Sequence, residues 1–505
     1  MTTEATTPDA ETPDPAESGA LSVFRNSGFL RLWLSQASTQ IGGNMVLFGL
    51  TVIVVKSTSS NTAVSLLILS FLVPAVLFSA VAGVYVDRID RRVILIATNL
   101  MRGFAFVALY LVGVNFALIL LLNIFVSTVT VFFAPAELAM IGLLVPRRQL
   151  LAASGIFTLT LNAAFALGFA LLGPLVVKLA GAPTVILVVA GLYFLAAVFC
   201  ITLPASPPPP PTEAERRSAL GVGEAEHAVQ STIAELREGF SFIRHNRSIG
   251  WSLVYLAITA SLVGVLGVLG PAFARETLGL AAEDFVVVVL PLGFGIVTGI
   301  LLLNSYGRWF PRRRVIEGGL IILGILLAAL SAAGPISRFL QGANTGGLDL
   351  SGITSLLSVV VGIAFFAGIA YGLVAIPAQT QLQEDLPEDV RGRVFGVLGM
   401  LVSVASFLPI IVVGPISDLI GTTAVIFVSA IIVVAIGVAS VVTRGPLQPS
   451  DARPASDPNA VDPIAAALHV DRPSWREPAA VTPVAGPVPA VAPSPTGPAD
   501  PTDRD

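Results

Sequence analysis

The chain has 505 residues, 54% of them hydrophobic and only 12% charged, with a mean hydropathy of +0.86. A soluble protein of this length carries about twice that charged fraction, so the composition argues for a polytopic membrane protein and against a water-soluble fold. The one cysteine, Cys200, lies in an apolar run and leaves no disulfide framework or thiolate metal site. The three histidines (His227, His245, His469) stand in polar segments, away from any buried proton relay.

Residues 1–21 are rich in Thr, Pro, Glu and Asp and read as a disordered cytoplasmic tail without the features of a signal peptide. Twelve apolar spans follow, at 30–55, 62–86, 93–113, 116–141, 151–180, 183–203, 249–274, 285–306, 315–333, 352–377, 393–419 and 422–442. About 20 apolar residues cross a hydrocarbon core of about 30 Å as a helix, and an open strand edge cannot be satisfied in lipid, so every span is predicted helical. The expected fold class is therefore all-α. Six spans form a first bundle, 22–203, and six a second, 248–443.

Between the bundles, 204–247 opens with Pro207–Pro211 and reads as a cytoplasmic linker. Its second half places Val229, Ile233, Leu236, Phe240 and Ile243 on one stripe of a helix. That helix either lies along the membrane surface or packs on protein as an ordinary loop helix. Residues 444–505, rich in Pro, Ala and Asp, read as a second disordered cytoplasmic tail.

Counting basic residues gives the orientation. With both termini inside, the inner segments hold nineteen arginines, among them Arg88, Arg91, Arg92, Arg312, Arg313, Arg314 and Arg391. The outer ones hold only Lys56, Lys178, Arg275 and Arg338. The chain has twenty-six arginines against two lysines, a bias that suits a GC-rich bacterial genome and hence a bacterial inner membrane.

The two halves echo each other. Asp87-Arg88…Arg91-Arg92-Val93-Ile94 recurs as Arg308…Arg312-Arg313-Arg314-Val315-Ile316, Pro135-Ala136 as Pro377-Ala378, and Gly173-Pro174 as Gly414-Pro415. Three pairs in one order, offset by about half the chain, predict two parallel, pseudo-symmetric six-helix bundles around a central cavity.

The charged turn between spans two and three, Gly83-x-x-x-Asp87-Arg88-x-x-Arg91-Arg92, resembles the loop signature of the major facilitator superfamily of secondary transporters. Two further stretches, Phe133-Ala-Pro135-Ala136…Pro146-Arg-Arg-Gln-Leu150 and Leu386-Pro387-Glu388-Asp389-Val390-Arg391-Gly392-Arg393, are similar to its drug:proton antiporter branch, which includes macrolide efflux pumps and the enterobactin exporter. The resemblance covers about residues 22–443. It implies alternating access, export and proton coupling, with Gly83, Asp87, Arg88, Arg91, Arg92, Arg391, Gly392 and Arg393 as gating residues. It also implies helix packing at Gly168, Gly173, Pro174, Gly414 and Pro415.

In mechanical terms, Gly83 lets span two approach a neighbour closely, and the Asp87 carboxylate can face the exposed N–H groups at the start of span eleven. Arg102 and Glu137 are expected to pair within the inner half of the membrane, because an isolated membrane arginine is costly. Glu137 is the first candidate for a proton site. No carboxylate falls near the midplane, and Gln36, Gln40, Asn44, Asn123, Asn162 and Tyr371 are the candidates for the cavity wall. The apolar residues around them suit a large amphipathic molecule.

The expectation is a non-enzymatic secondary transporter with no cofactor, metal or ATP-binding motif and no nucleic-acid partner. It would work as a monomer in membrane lipid, exchanging protons for a hydrophobic or amphipathic drug, macrolide or siderophore-like compound. The alternatives are a lysophospholipid carrier and a non-transporting sensor or scaffold on the same fold. Cysteines placed singly in the Asp87 turn and the Arg391 turn are expected to react with an impermeant maleimide from the same side of the membrane; reaction from opposite sides would break the two-bundle reading.

Overall fold

The computed structural model describes residues 20–86, 88–113, 115–146, 149–206, 247–343, 355–385 and 407–444. Both tails, the central linker with its amphipathic stripe, Asp87, and Arg391, Gly392 and Arg393 lie outside the described residues.

Among the described residues there are helices and no strands. The first half holds α1 (Ser27–Thr58), α2 (Asn61–Val86), α3 (Arg91–Val112) and α4 (Phe116–Leu144). It continues with α5 (Leu150–Phe165), α6 (Gly173–Ala180) and α7 (Ala182–Ile201). A π-helical segment, Ala166–Leu172, joins α5 to α6, so that the three pieces make one rod. The second half holds α8 (Arg247–Glu276), α9 (Val286–Tyr306), α10 (Arg312–Ser331), the short α11 (Ala333–Ala343) and α12 (Leu356–Asp385). Two further helices, α13 (Phe407–Ile420) and α14 (Thr422–Thr443), complete it. Ten of these rods are long and apolar enough to cross a membrane, and two shorter apolar stretches, Asn61–Ala75 and Phe407–Ile420, fall at the two remaining expected spans.

Local chemistry sets several of the boundaries. Asn26 caps α1, its Oδ1 accepting from the N–H groups of Gly28 at 2.9 Å and Phe29 at 3.2 Å. Its Nδ2 donates to the Leu144 carbonyl at 2.6 Å, so one side chain fixes the start of α1 to the end of α4. Asp90 caps α3 by accepting from Arg92 N at 2.9 Å. Gly181 and Gly421 turn the chain between α6 and α7 and between α13 and α14 with φ of +87° and +90°, a conformation that glycine adopts without strain. They are a further matched pair in the repeat.

Helices continue through internal prolines. Pro135 lies inside α4 and Pro377 inside α12, which continues to Asp385. Packed neighbours let a transmembrane helix continue through proline.

The halves repeat in space as in sequence. In the first, α2 packs on α4, α3 on α4, and α7 on both α1 and α3; in the second, α9 packs on α12, α10 on α12, and α14 on both α8 and α10. The tightest seam is α9 against α12. A Cβ on Gly295 would strike the Phe365 carbonyl oxygen, one on Gly368 the Leu292 carbonyl oxygen, and one on Gly299 would come within 2.7 Å of the Ile369 carbonyl oxygen. Small residues facing one another are how membrane helices gain van der Waals contact where lipid supplies no hydrophobic drive.

The hydrophobic cores show how the halves meet. One cluster runs through both, joining Val52, Val55, Val64 and Leu67 to Val268, Leu269, Phe273, Phe285 and Ile410. It lies toward the end of the molecule that carries Lys56 and Lys178, here called the far end. Toward the opposite, basic end, the cores divide. Phe29, Leu95, Phe133 and Met140 cluster within the first half, and Tyr255, Ile316, Leu320 and Val374 within the second. The described halves are therefore joined at the far end and have separate cores at the basic end. Gly368→Val is expected to destabilise the protein by about 1–3 kcal/mol through overpacking of the α9–α12 seam, read as a fall in the unfolding midpoint in mixed micelles; an unchanged midpoint would refute that seam.

Candidate functional site

Four helices of the first half converge on a buried polar cluster. From α3 come Thr98, Asn99 and Arg102, from α4 Phe133 and Glu137, from α7 Tyr193 and Cys200, and from α1 Ser35. Arg102 is 2% exposed. Its Nε donates to the Thr98 carbonyl at 3.2 Å and its Nη2 to Asn99 Oδ1 at 2.7 Å. The guanidinium sits 4.6 Å from the centre of the Phe133 ring and 4.7 Å from that of Tyr193. Aromatic faces on a desolvated cation supply an attraction of about 2 kcal/mol or more. Tyr193 in turn stacks on Phe106 at 5.7 Å. Cys200 Sγ lies 3.1 Å from Ser35 Oγ and 3.7 Å from Asn99 Nδ2, inside the same cluster.

Glu137 is 6% exposed, and its Oε1 has no hydrogen-bond partner. Arg102 is its electrostatic neighbour, but no ion pair within 4.0 Å joins the two among the described residues. The direct pair expected from the sequence is replaced by an arginine held between two rings and a carboxylate left short of a partner. The physical reason is local: Thr98 and Asn99, four and three residues before Arg102 on the same helix, capture its donors first.

The second half treats its buried acid differently. Glu317 accepts from Arg313 Nε at 2.8 Å, one helical turn away, and from Ser440 Oγ at 2.8 Å. Ser440 also bonds Tyr255, which accepts from Arg444 Nη1 at 3.4 Å. Glu317 is thus compensated from its own helix and from α14.

The charged turn binds its own half. Asp90 accepts from Ser206 N at 3.2 Å, Arg91 Nη1 donates to Ser206 Oγ at 3.2 Å, and Arg92 donates to the Ile201 carbonyl at the end of α7. Arg92 therefore fastens α3 to the end of α7, and Arg91 fastens it to the segment that follows. Gly83 lies in the last turn of α2 and Arg88 in the turn that follows.

The cavity candidates separate. Asn123 is 1% exposed and donates from Nδ2 to Ser70 Oγ at 2.6 Å and to the Leu67 carbonyl at 3.4 Å, a seam residue between α4 and α2 where the sequence reading expected cavity wall. Asn44 donates to the Gln40 carbonyl at 2.8 Å on its own helix. Its Cβ packs against Gly168, where an added methyl would come within 2.6 Å of the Ile41 carbonyl oxygen. Gly173 packs likewise on Phe48. Gln36 is buried on α1 with Oε1 unpartnered, Tyr371 lies beside Thr259 of α8, and Asn162 is on α5 with its side chain outside the described set. In the second half Gly414 and Pro415 lie on α13, with Gly414 pressed on Ser65 and Asn61 of α2. Sequence reasoning missed Asn99, Tyr193 and Cys200; the signal present was an amide one turn before a buried arginine.

The arrangement of twelve apolar rods in two repeated bundles, with separate cores at one end, matches a known family. The family model described as Major Facilitator Superfamily matches residues 32–409. The chain belongs to the major facilitator superfamily. Among its facilitator relatives, the uncharacterized MFS-type transporter YfiS of Bacillus subtilis (strain 168) is 25% identical over 430 residues, covering 84% of this chain and 94% of that protein. Macrolide efflux protein A of Streptococcus pyogenes is 22% identical over 416 residues, with coverage of 81% and 94%. Multidrug efflux pump Tap of Mycolicibacterium fortuitum is 22% identical over 430 residues, with coverage of 82% and 95%.

Among solved facilitator structures, the POT family transporter PepTSo superposes with a TM-score of 0.58 at 14% identity, covering 83% of this chain and 98% of that one. The nucleoside transporter NupG does so with a TM-score of 0.57 at 13% identity, with coverage of 83% and 99%. The facilitator fold is shared throughout. This protein is a multi-pass membrane transporter and not an enzyme.

Arg102→Ala removes the ring contacts and hydrogen bonds of the guanidinium as well as the cation nearest a buried carboxylate, and is expected to cost about 2–4 kcal/mol of stability. Adding Glu137→Gln to that variant is expected to recover only the electrostatic part of the loss, about 1 kcal/mol. Unfolding midpoints of the single and double variants check this, and strict additivity would show that the two groups do not interact.

Proposed function

We propose that this transporter exports hydrophobic or amphipathic small molecules in exchange for protons, with its basic end in the cytoplasm of a bacterial cell. The observation that carries the efflux reading is the match to macrolide efflux protein A and multidrug efflux pump Tap across more than four-fifths of the chain. An interior built mainly of apolar helices supports a substrate bound mainly by burial. The excess of arginine on the turns at one end supports the orientation.

For the proton, Glu137 is the proposed carrier. Of the two buried glutamates on the described helices, Glu317 has its cation and hydroxyl partners, and Glu137 has an acceptor oxygen with none. A bound proton makes that carboxyl a donor as well as an acceptor. Arg102 and Cys200 are the charged or titratable groups that interact with it, Tyr193 stacks on Arg102 behind them, and these side chains are anchored by bonds or ring contacts on α1, α3 and α4. Loading and release at Glu137 would thereby act on the packing of four helices together.

The test is export from a pump-deficient bacterial host, screened over dyes, macrolides, siderophores and fluorescent lysophospholipid. Export of a dye or macrolide that a protonophore abolishes is the expected result. Glu137→Gln is expected to lower proton-driven export by tenfold or more, on the order of the effect of losing a single essential proton-transfer group, while sparing substrate exchange down its own gradient. Movement of lysophospholipid alone would replace the drug reading with a lipid one, and undiminished proton-driven export by Glu137→Gln would remove that residue from the coupling.

A further inference from the structure

The far end carries a clasp that joins α13 of the second half to the first turn of α2 in the first. Asp418, near the end of α13, accepts four hydrogen bonds across the seam. Asn61 N donates to Oδ1 at 2.8 Å, while Thr62 N at 3.0 Å, Thr62 Oγ1 at 2.7 Å and Ser60 Oγ at 2.7 Å donate to Oδ2. The first N–H groups of a helix have no partner within it and carry partial positive charge. Here two of them are satisfied by a carboxylate more than 350 positions away in sequence. Ser60, the residue before α2, takes the next N–H, from Ala63, on its own Oγ at 3.3 Å. The start of α2 is therefore capped jointly by a residue of each half.

The backbones beneath this cap are as close as glycine permits. Gly414, one turn before Asp418, lies where an added Cβ would strike Ser65 Oγ and come within 2.6 Å of the Asn61 carbonyl oxygen. Other bonds across the far end are weaker. Lys56 pairs with Glu283 at 2.8 Å and Lys178 with Asp284 at 3.5 Å, both with a half-exposed or more exposed lysine. Arg275 Nη1 reaches Ser59 Oγ at 3.5 Å. Exposed pairs of this kind contribute little. Asp418 is exposed as well, but with four donors, two of them helix N–H groups, it is the most fully bonded member of the set.

From this geometry we infer that Asp418 is the clasp that holds the far end shut, and that opening this end requires its release from α2. The bonds to Ser60, Asn61 and Thr62 exist only while α2 and α13 touch, so they favour one state of an alternating-access cycle over the other. The inference concerns the gate alone and stands whatever the transporter carries.

The test is a distance measurement on purified full-length protein in nanodiscs. Ser57→Cys and Glu276→Cys, exposed residues of opposite halves at the far end, carry spin labels in a Cys200→Ser background. The unaltered clasp is expected to give mainly the short distance. Asp418→Asn keeps the shape and weakens the acceptor, and is expected to raise the ratio of the long-distance population to the short one by about fivefold or more, the change that losing part of a charge-assisted cap produces. Asp284→Asn, at a weaker pair, is expected to leave the distribution nearly unchanged. Should Asp418→Asn fail to fold, Ser60→Ala with Thr62→Val removes the two hydroxyl donors from the other side of the seam, and Gly414→Ala wedges it apart sterically; both are expected to act in the same direction. A distribution that none of these variants moves, or that Asp284→Asn moves equally, would overturn the clasp.

Discussion

Helices surrounded by hydrocarbon receive no hydrophobic push toward one another, so this protein depends on how closely its backbones can approach. The points of closest approach are glycines. Gly295 and Gly368 bring α9 onto α12, Gly168 and Gly173 bring the fifth rod onto α1, and Gly414 brings α13 onto α2 across the molecule. Polar side chains add directed bonds to these contacts, as Asn123 does between α4 and α2. The first four of these glycines join helices of the same half, and Gly414 joins helices of opposite halves. That difference separates contacts that can persist through a transport cycle from one that a cycle must break.

The two halves share a plan but place their polar groups differently. In the second, Arg313, Glu317, Ser440, Tyr255 and Arg444 form a connected set in which the acid is compensated. In the first, the arginine is enclosed by Phe133 and Tyr193 and the acid keeps an unpartnered oxygen. Repetition fixes where the helices run. The chemistry in each half then depends on single residues that the repeat does not conserve. Gly324 on α10 presses on Val434 of α14, and Gly103 on α3 presses on Phe194 of α7, yet only the first half has an arginine beside that contact.

The rods were legible in the sequence because a span of about 20 apolar residues has one solution in lipid. The pairing of halves was legible because Gly173-Pro174 and Gly414-Pro415, and the two charged turns, recur in order. What each polar residue faces was not legible. Asn123, Asn44 and Gln36 all read as amides within apolar runs, and only the rotation set by neighbouring helices makes one a bridge and another a buried acceptor. Arg102 and Glu137 were expected to pair, and nothing in the sequence showed that Asn99 would take the guanidinium first. Nothing in the sequence singles out Asp418, since its partners are far away in the chain and three of its four bonds involve groups in the first turn of another helix.

The π-helical segment at Ala166–Leu172 adds about one residue to a turn of the fifth rod. Within it Gly168 faces α1, and just past it Gly173 still faces Phe48 of α1, because the widened turn resets the angle at which the following residues emerge. Shortening the segment by one position would wind it into a regular α-helix and turn Pro174 and Val177 to a new azimuth. Insertions and deletions at this place are therefore not neutral length changes, and a chain lacking one residue here would pack its fifth rod through a different set of buried side chains.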